Sequence, residues 1–326
     1  MKIAILDDYQ DAVRHLTCFE QLRGLDVKVF QHSTKGQGQL AIRLADFDVL
    51  VLIRERTTLN RALISKLPKL KLICQTGRIG SHVDLQAAAE REIAVVDGAG
   101  DPVAPAELTW GLILGASRKI PQYASLMKQG VWQSSSTHPA HNTLGRVLHG
   151  RTLGIWGYGR IGQLVARYAK AFGMDVMVWG SAASRQLAQQ HGLQITHSKD
   201  DLFTNADVLS LHLRLSEHTR HIVTTHELSL MKPDALLVNT SRAELIAPHA
   251  LETSLNAGRP GGAAIDVFDV EPVPPTHALL RLENILATPH IGFVEHESYE
   301  RYFQPAFEAV VDFVHGRAIR NIAIKA

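Results

Sequence analysis

The chain has 326 residues, 45% of them hydrophobic and 20% charged, with a formal net charge of +2 at neutral pH. That length favours two domains and that composition a globular, soluble protein, and the near-neutral balance without a basic block excludes nucleic acid as the main partner. No stretch approaches the ~18 apolar residues that a membrane span needs, and the apolar start at residues 3–6 is too short for a signal peptide. Cys18 and Cys74, the only cysteines, read as reduced core residues of a cytoplasmic protein. Seventeen histidines fall in no metal-ligand spacing, so no metal is expected.

In chain order, residues 2–6, 27–30, 49–53, 70–74 and 93–96 read as strands. Helical segments reach about Arg23 and about Leu44, and others lie near 60–67 and 84–90. This alternation predicts a parallel, doubly wound sheet. Leu6-Asp7-Asp8-Tyr9 follows the first strand in place of a glycine fingerprint, so this half is not expected to hold a dinucleotide. Arg54 follows the third strand and Gly77-Arg78-Ile79-Gly80 the fourth, where open α/β sheets bind ligands. The loop glycines can present N–H groups to a carboxylate; the alternative is a solvated charge cluster beside a routine turn.

Residues 103–117 predict a long apolar helix passing from one domain to the next, with a short kinked continuation at Pro121. Residues 130–150 lack periodicity and read as an extended arm. Such an arm packs on a partner subunit, so a homodimer is expected.

The second sheet opens with a strand over 153–156 and then Gly157-Tyr158-Gly159-Arg160-Ile161-Gly162. Ile161, Leu164, Val165, Tyr168, Ala169 and Phe172 recur on one helical face, Gly173 stops the helix, and 175–179 reads as the next strand. Strand, glycine turn, helix and strand is the context a dinucleotide fingerprint requires: glycine admits the pyrophosphate, and the helix start attracts it. Further strands are expected at 208–213, 235–239, 262–267 and 284–288, helices near 184–191, 225–231 and 248–257, and a closing amphipathic helix over 298–315. Arg242, Glu271 and His290 each follow one of these strands. Singly, each has a structural explanation; an arginine, a carboxylate and a histidine on the edge that presents a nicotinamide make a catalytic set.

Gly157-Tyr158-Gly159-Arg160-Ile161-Gly162, Met231-Lys232-Pro233, Asn239-Thr240-Ser241-Arg242, Asp266-Val267-Phe268 with Glu271-Pro272, and Thr288-Pro289-His290-Ile291-Gly292 together carry a resemblance. In order and spacing, over nearly the whole chain, the sequence is similar to the D-isomer-specific 2-hydroxyacid dehydrogenases, a family that includes D-3-phosphoglycerate dehydrogenases, glyoxylate reductases and D-lactate dehydrogenases. The resemblance implies two doubly wound α/β lobes, with a Rossmann cofactor domain (102–291) inserted into a flavodoxin-like substrate domain (1–101 and 292–326) and the active site in the cleft. It implies a small 2-hydroxy or 2-oxo acid as substrate; Arg54, Gly77, Arg78 and Ile79, from their place at the carboxyl ends of strands, are expected to help bind it.

In that reading His290 exchanges the proton, Glu271 fixes its tautomer and favours imidazolium, and Arg242 binds the substrate's carbonyl and carboxylate oxygens. The cofactor set comprises the glycine loop with His212, Thr240, Ser241 and Asp266, the last holding the nicotinamide carboxamide. Gly180 stands where NAD-preferring members carry an acidic residue, so NADP becomes acceptable beside NAD, with Ser181 and Arg185 as contacts. Ala243-Glu244 replaces the usual glycine after the arginine, and no additional regulatory domain is expected. A rival reading is a dinucleotide-sensing corepressor with the same fold and little turnover.

Overall fold

The structure is a computed structural model describing residues 1–34 and 36–324. Its chain divides into two compact units, Met1–Asp101 with Val294–Ala326, and Pro102–Phe293.

The first unit begins β1 (Lys2–Leu6), β2 (Asp26–Val29), α1 (Gln37–Leu44), β3 (Val49–Ile53), α2 (Arg61–Ile64), β4 (Leu72–Thr76), α3 (Leu85–Glu90) and β5 (Ala94–Val96). β3 and β4 are buried at every position, as their unbroken apolar runs require of strands covered on both faces. Asn60 and Asp84 cap α2 and α3 by accepting from Leu63 N and Ala87 N. The helical stretch expected before Arg23 is instead two 3₁₀ segments, Val13–His15 and Thr17–Leu22, broken by extended Leu16. The helix expected near 60–67 is the single turn of α2.

The second unit contains α4 (Val103–Ser117), α5 (Ile120–Met127), β6 (Thr152–Trp156), α6 (Arg160–Ala171), β7 (Asp175–Trp179), α7 (Ala182–Gln190), β8 (Gln194–Ile195), α8 (Lys199–Asn205), β9 (Val208–Leu211), α9 (Thr225–Leu230), β10 (Leu236–Asn239), α10 (Ala250–Asn256), β11 (Gly262–Ile265) and β12 (Ile285–Ala287). Lys119, left-handed at φ 53°, separates α4 from α5; Pro121 sits in the first turn of α5, where its missing N–H costs nothing, and causes no kink. The strands are all parallel, in the order β12-β11-β10-β9-β6-β7-β8. This is a Rossmann sheet with one further strand. Trp156 pairs with Trp179 and Leu211, Asn239 with Leu211 and Ile265, and Ile265 with Ala287. Those pairings align the carboxyl ends of six strands, so every loop leaving them emerges on one edge.

The chain then completes the first unit with α11 (His296–Val314) and β13 (Ile322–Ile324). β13 pairs antiparallel with β5, giving the order β13-β5-β4-β3-β1-β2, a flavodoxin-like sheet with an antiparallel edge. α11 packs on β4 and on the 3₁₀ segment at 17–22, burying Phe303, Phe307 and Val310, with Phe307 edge-to-face on Phe19 at 6.0 Å. Among the described residues no helix is long and apolar enough to cross a membrane.

One cap makes acid stability testable. Thr224 and Glu227 form a capping box at the start of α9, and Lys199 Nζ lies 2.5 Å from Glu227 Oε1. Burial raises the Glu227 carboxyl, but Lys199 and the Thr224 hydroxyl and N–H outweigh it and hold it at about 2, below its ordinary 4.5. A carboxyl lowered by folding stabilises fully above its unfolded value, and that stability is lost as pH falls through the folded value. Glu227→Gln is therefore expected to cost about 1–2 kcal/mol at pH 7, with the difference from the parent narrowing between pH 4.5 and about 2. Urea unfolding at both ends of that range checks it; a difference independent of pH would leave the carboxylate no part in the stability.

Candidate active site

The glycine loop is built by close packing. A Cβ on Gly157, which has φ 98°, would meet the His212 carbonyl oxygen at 2.6 Å, and one on Gly162 the Gly157 carbonyl oxygen at 2.5 Å. Gly157 N donates to Trp179 O and His212 N to Trp156 O, tying the loop to β7 and β9. A Cβ on Gly159 would meet nothing within 4 Å, and α6 starts there without a side-chain cap. The loop is thus full on its inner side and open before a helix start, which fits the pyrophosphate of a dinucleotide.

The flanking residues play several parts. Arg160 and Ile161 open α6, while the Tyr158 hydroxyl meets His191 Nδ1 at 3.0 Å. His212 Nε2 lies 2.9 Å from Ser210 Oγ, and desolvation pulls its imidazole down to about 4, so it is neutral near pH 7. Thr240 Oγ1 pairs with Thr109 Oγ1 at 2.7 Å, and Ser241 Oγ donates to Leu211 O at 2.7 Å. Gly180 and Ser181 continue β7 into α7, and the Arg185 guanidinium lies over the Trp179 ring, 4.7 Å from its centroid.

At the same edge, Arg242 follows β10 in extended conformation, φ −147°. Its Nη1 donates to Ser241 O at 2.7 Å, and its carbonyl accepts from Asn239 Nδ2 at 2.9 Å. Ala243 enters a 3₁₀ turn, so the loop runs on without glycine. Glu271 Oε1 accepts from Phe268 N at 3.0 Å, and Oε2 lies 2.6 Å from His290 Nδ1. The carboxylate accepts, so Nδ1 carries the hydrogen and Nε2 is left for proton exchange. His290, at φ 52°, also packs its ring edge-to-face on Phe293 at 5.7 Å.

Asp266 braces this loop. Its Oδ1 accepts from Thr288 Oγ1 at 2.6 Å and Ile291 N at 2.9 Å, and its Oδ2 from Gly292 N at 2.9 Å. Burial raises the carboxyl above its ordinary value against the pull of these donors. Asp266 thus ties Thr288, before His290, to Ile291 and Gly292 beyond it. Asn239 and Phe293 are further supports that the candidate set omitted; Asn239 stood within a quoted motif, whereas Phe293 carried no sequence signal.

In the first unit, Arg54 has φ 53°, donates its N–H to Thr76 Oγ1 at 3.0 Å, and faces the Tyr302 ring at 5.6 Å. A Cβ on Gly77 (φ 85°) would collide with the Arg54 guanidinium, so glycine makes room for that side chain. Exposed Arg78 pairs with Asp97 at 3.3 Å, and the same carboxylate takes the Ile79 N–H at 2.6 Å. An internal carboxylate thus occupies one of the loop's backbone donors.

The model of the D-isomer specific 2-hydroxyacid dehydrogenase NAD binding domain matches residues 110–292. A D-3-phosphoglycerate dehydrogenase of Methanocaldococcus jannaschii is 35% identical over 99% of this chain and 59% of its own length, so the chain spans less than two thirds of that relative. A glyoxylate reductase of Aeropyrum pernix is 36% identical over 80% of this chain and 78% of its own. The crystal structure of a phosphoglycerate oxidoreductase from Vibrio cholerae superposes with a TM-score of 0.94 at 51% identity, covering 97% of this chain and 99% of that one.

Proposed function

The chain belongs to the D-isomer specific 2-hydroxyacid dehydrogenase family and carries its NAD-binding domain, and from that premise we propose that it interconverts a small 2-oxo acid and its D-2-hydroxy acid with NAD(P) as cofactor. The observation that carries this reading is the 2.6 Å bond between His290 Nδ1 and Glu271, on the strand edge that also bears Arg242 and the glycine loop.

A bound nicotinamide dinucleotide supplies or accepts the hydride at the substrate's C2. In reduction, His290 gives the Nε2 proton to the carbonyl oxygen; in oxidation it takes that proton back. Glu271 accepts from Nδ1 and so keeps the imidazole turned. Arg242 binds the carbonyl and carboxylate oxygens, so charge developing on oxygen meets a fixed guanidinium. Asp266 holds the Thr288 hydroxyl before the histidine and the Ile291 and Gly292 backbone after it.

The test is a panel of initial rates with NADH and NADPH against glyoxylate, hydroxypyruvate, pyruvate, phenylpyruvate and 3-phosphohydroxypyruvate. Oxidation of a cofactor by at least one of these is expected. Cofactor binding with no turnover across the panel and other short 2-oxo acids would replace the enzyme reading with the sensor one.

The protein works as a homodimer through the arm between α5 and β6. Ile120 and Met127 on α5 and Trp132, Leu144 and Val147 in the arm are 55–87% exposed, an apolar array that a second copy covers. Light scattering is expected to give the mass of two chains; a single-chain mass at micromolar concentration would remove the dimer.

A further inference from the structure

We infer that the adenosine end of the cofactor site is built for the 2′-phosphate of NADP(H), with Arg185 as the residue that reads it. This rests on the dehydrogenase reading above and concerns only which dinucleotide is preferred.

In dinucleotide-binding sheets the adenosine ribose lies at the carboxyl end of the second strand, here β7. A carboxylate there accepts the ribose hydroxyls and repels a phosphate, whereas an arginine accommodates one. The segment Trp179-Gly180-Ser181-Ala182-Ala183-Ser184-Arg185 contains no carboxylate. Neither α7 nor β8 adds one, and Asp175 lies at the opposite end of β7.

Gly180 is not forced by the backbone. It is absent from the positive-φ glycines, and the nearest atoms to a Cβ on it would be those of the Ser184 side chain, at 3.2 Å, and Gly157 Cα, at 3.6 Å. A side chain is therefore compatible with this position, and its lack leaves room beside the phosphate-binding turn.

The positive features converge on that room. The Arg185 guanidinium rests on the Trp179 ring at 4.7 Å, and among the described residues it pairs with no carboxylate. Stacking holds the planar fork at the tip of β7 without neutralising it. Ser181 Oγ caps α7 by accepting from Ser184 N and donates to Ser184 Oγ at 3.2 Å, which leaves the Ser184 hydroxyl hydrogen to donate at the start of α7. α7 is nine residues long, and the N–H groups of Ala182 and Ala183 have no acceptor among the described residues. A guanidinium, the Ser184 hydroxyl and a helix start favour a phosphate dianion over a neutral hydroxyl. NAD(H) finds no carboxylate here to accept its 2′-hydroxyl.

The experiment is equilibrium titration of the unmodified protein with NADPH and with NADH, followed by nicotinamide fluorescence without any oxo acid. Displacement by 2′,5′-ADP is compared with displacement by 5′-AMP. NADPH is expected to bind at least ~10-fold more tightly, and 2′,5′-ADP to compete better than 5′-AMP. Arg185→Ala should weaken NADPH ~10-fold while leaving NADH within ~2-fold, and Gly180→Asp should reverse the preference. Equal or tighter binding of NADH by the parent overturns the inference and leaves the dehydrogenase reading intact. Equal weakening of both cofactors by Arg185→Ala overturns the assignment of Arg185. If neither dinucleotide binds, the cofactor site and the dehydrogenase reading fail together.

Discussion

Replacing His290 with alanine is expected to lower turnover about 10²- to 10⁴-fold, the range for loss of a positioned acid/base. The imidazole is set from three sides: Glu271 at 2.6 Å on Nδ1, Phe293 against the ring, and Asp266 gripping Ile291 and Gly292 just beyond it. Because Asp266 bonds backbone rather than the imidazole, the loop keeps its anchors when the ring is removed. Dinucleotide binding, read by the same fluorescence titration, should therefore change little while kcat collapses. Glu271→Gln is milder, since an amide oxygen can still accept from Nδ1 but brings no charge. Near-normal turnover in His290→Ala would remove this residue from proton transfer.

Arg242→Ala should reduce kcat/KM for the oxo acid by about 10³-fold, comparable to deleting a principal oxyanion donor. Both parameters are expected to suffer, because the guanidinium holds the carboxylate in the ground state and the oxygen charge in the transition state. Arg242→Lys should restore only part of the loss, since a single ammonium cannot span two oxygens as the planar fork does. Buried Asn239 fixes the backbone through the Arg242 carbonyl, so the loop should survive either change. A kcat/KM within a few-fold of the parent would show that the substrate's oxygens are held elsewhere.

The parts of this protein that were legible in its sequence are those with local causes. β3 and β4 are written as continuous apolar runs because both faces are covered, and the glycine turn is written because only glycine fits beneath the His212 carbonyl. Once the sheet was read as parallel, Arg242, Glu271 and His290 had to leave on one edge. What escaped is set by distant partners. Ile322-Ala323-Ile324 becomes a strand only because β5 offers an edge, and nothing in three residues announces that. The break at Lys119 is a single left-handed residue of a type that ordinarily propagates helix. Tyr302 meets Arg54, and Asp97 meets Arg78 and Ile79, across separations that no periodicity encodes. Asp266 stood within a quoted motif, but its bonds to Thr288, Ile291 and Gly292 depended on how the 288–292 loop folds back.

The split first unit has a consequence for the order in which the protein can be made. Ribosomal synthesis delivers β1 to β5 early, but α11, which covers β4, and β13, which closes the edge of β5, follow only after residues 102–293 have emerged. Until then the nascent sheet carries a bare apolar face and an open strand edge, the two features that most invite pairing with a neighbouring chain. The second unit, contiguous in sequence, has no such wait. Maturation of the first unit is thus a late event, timed by translation of the second.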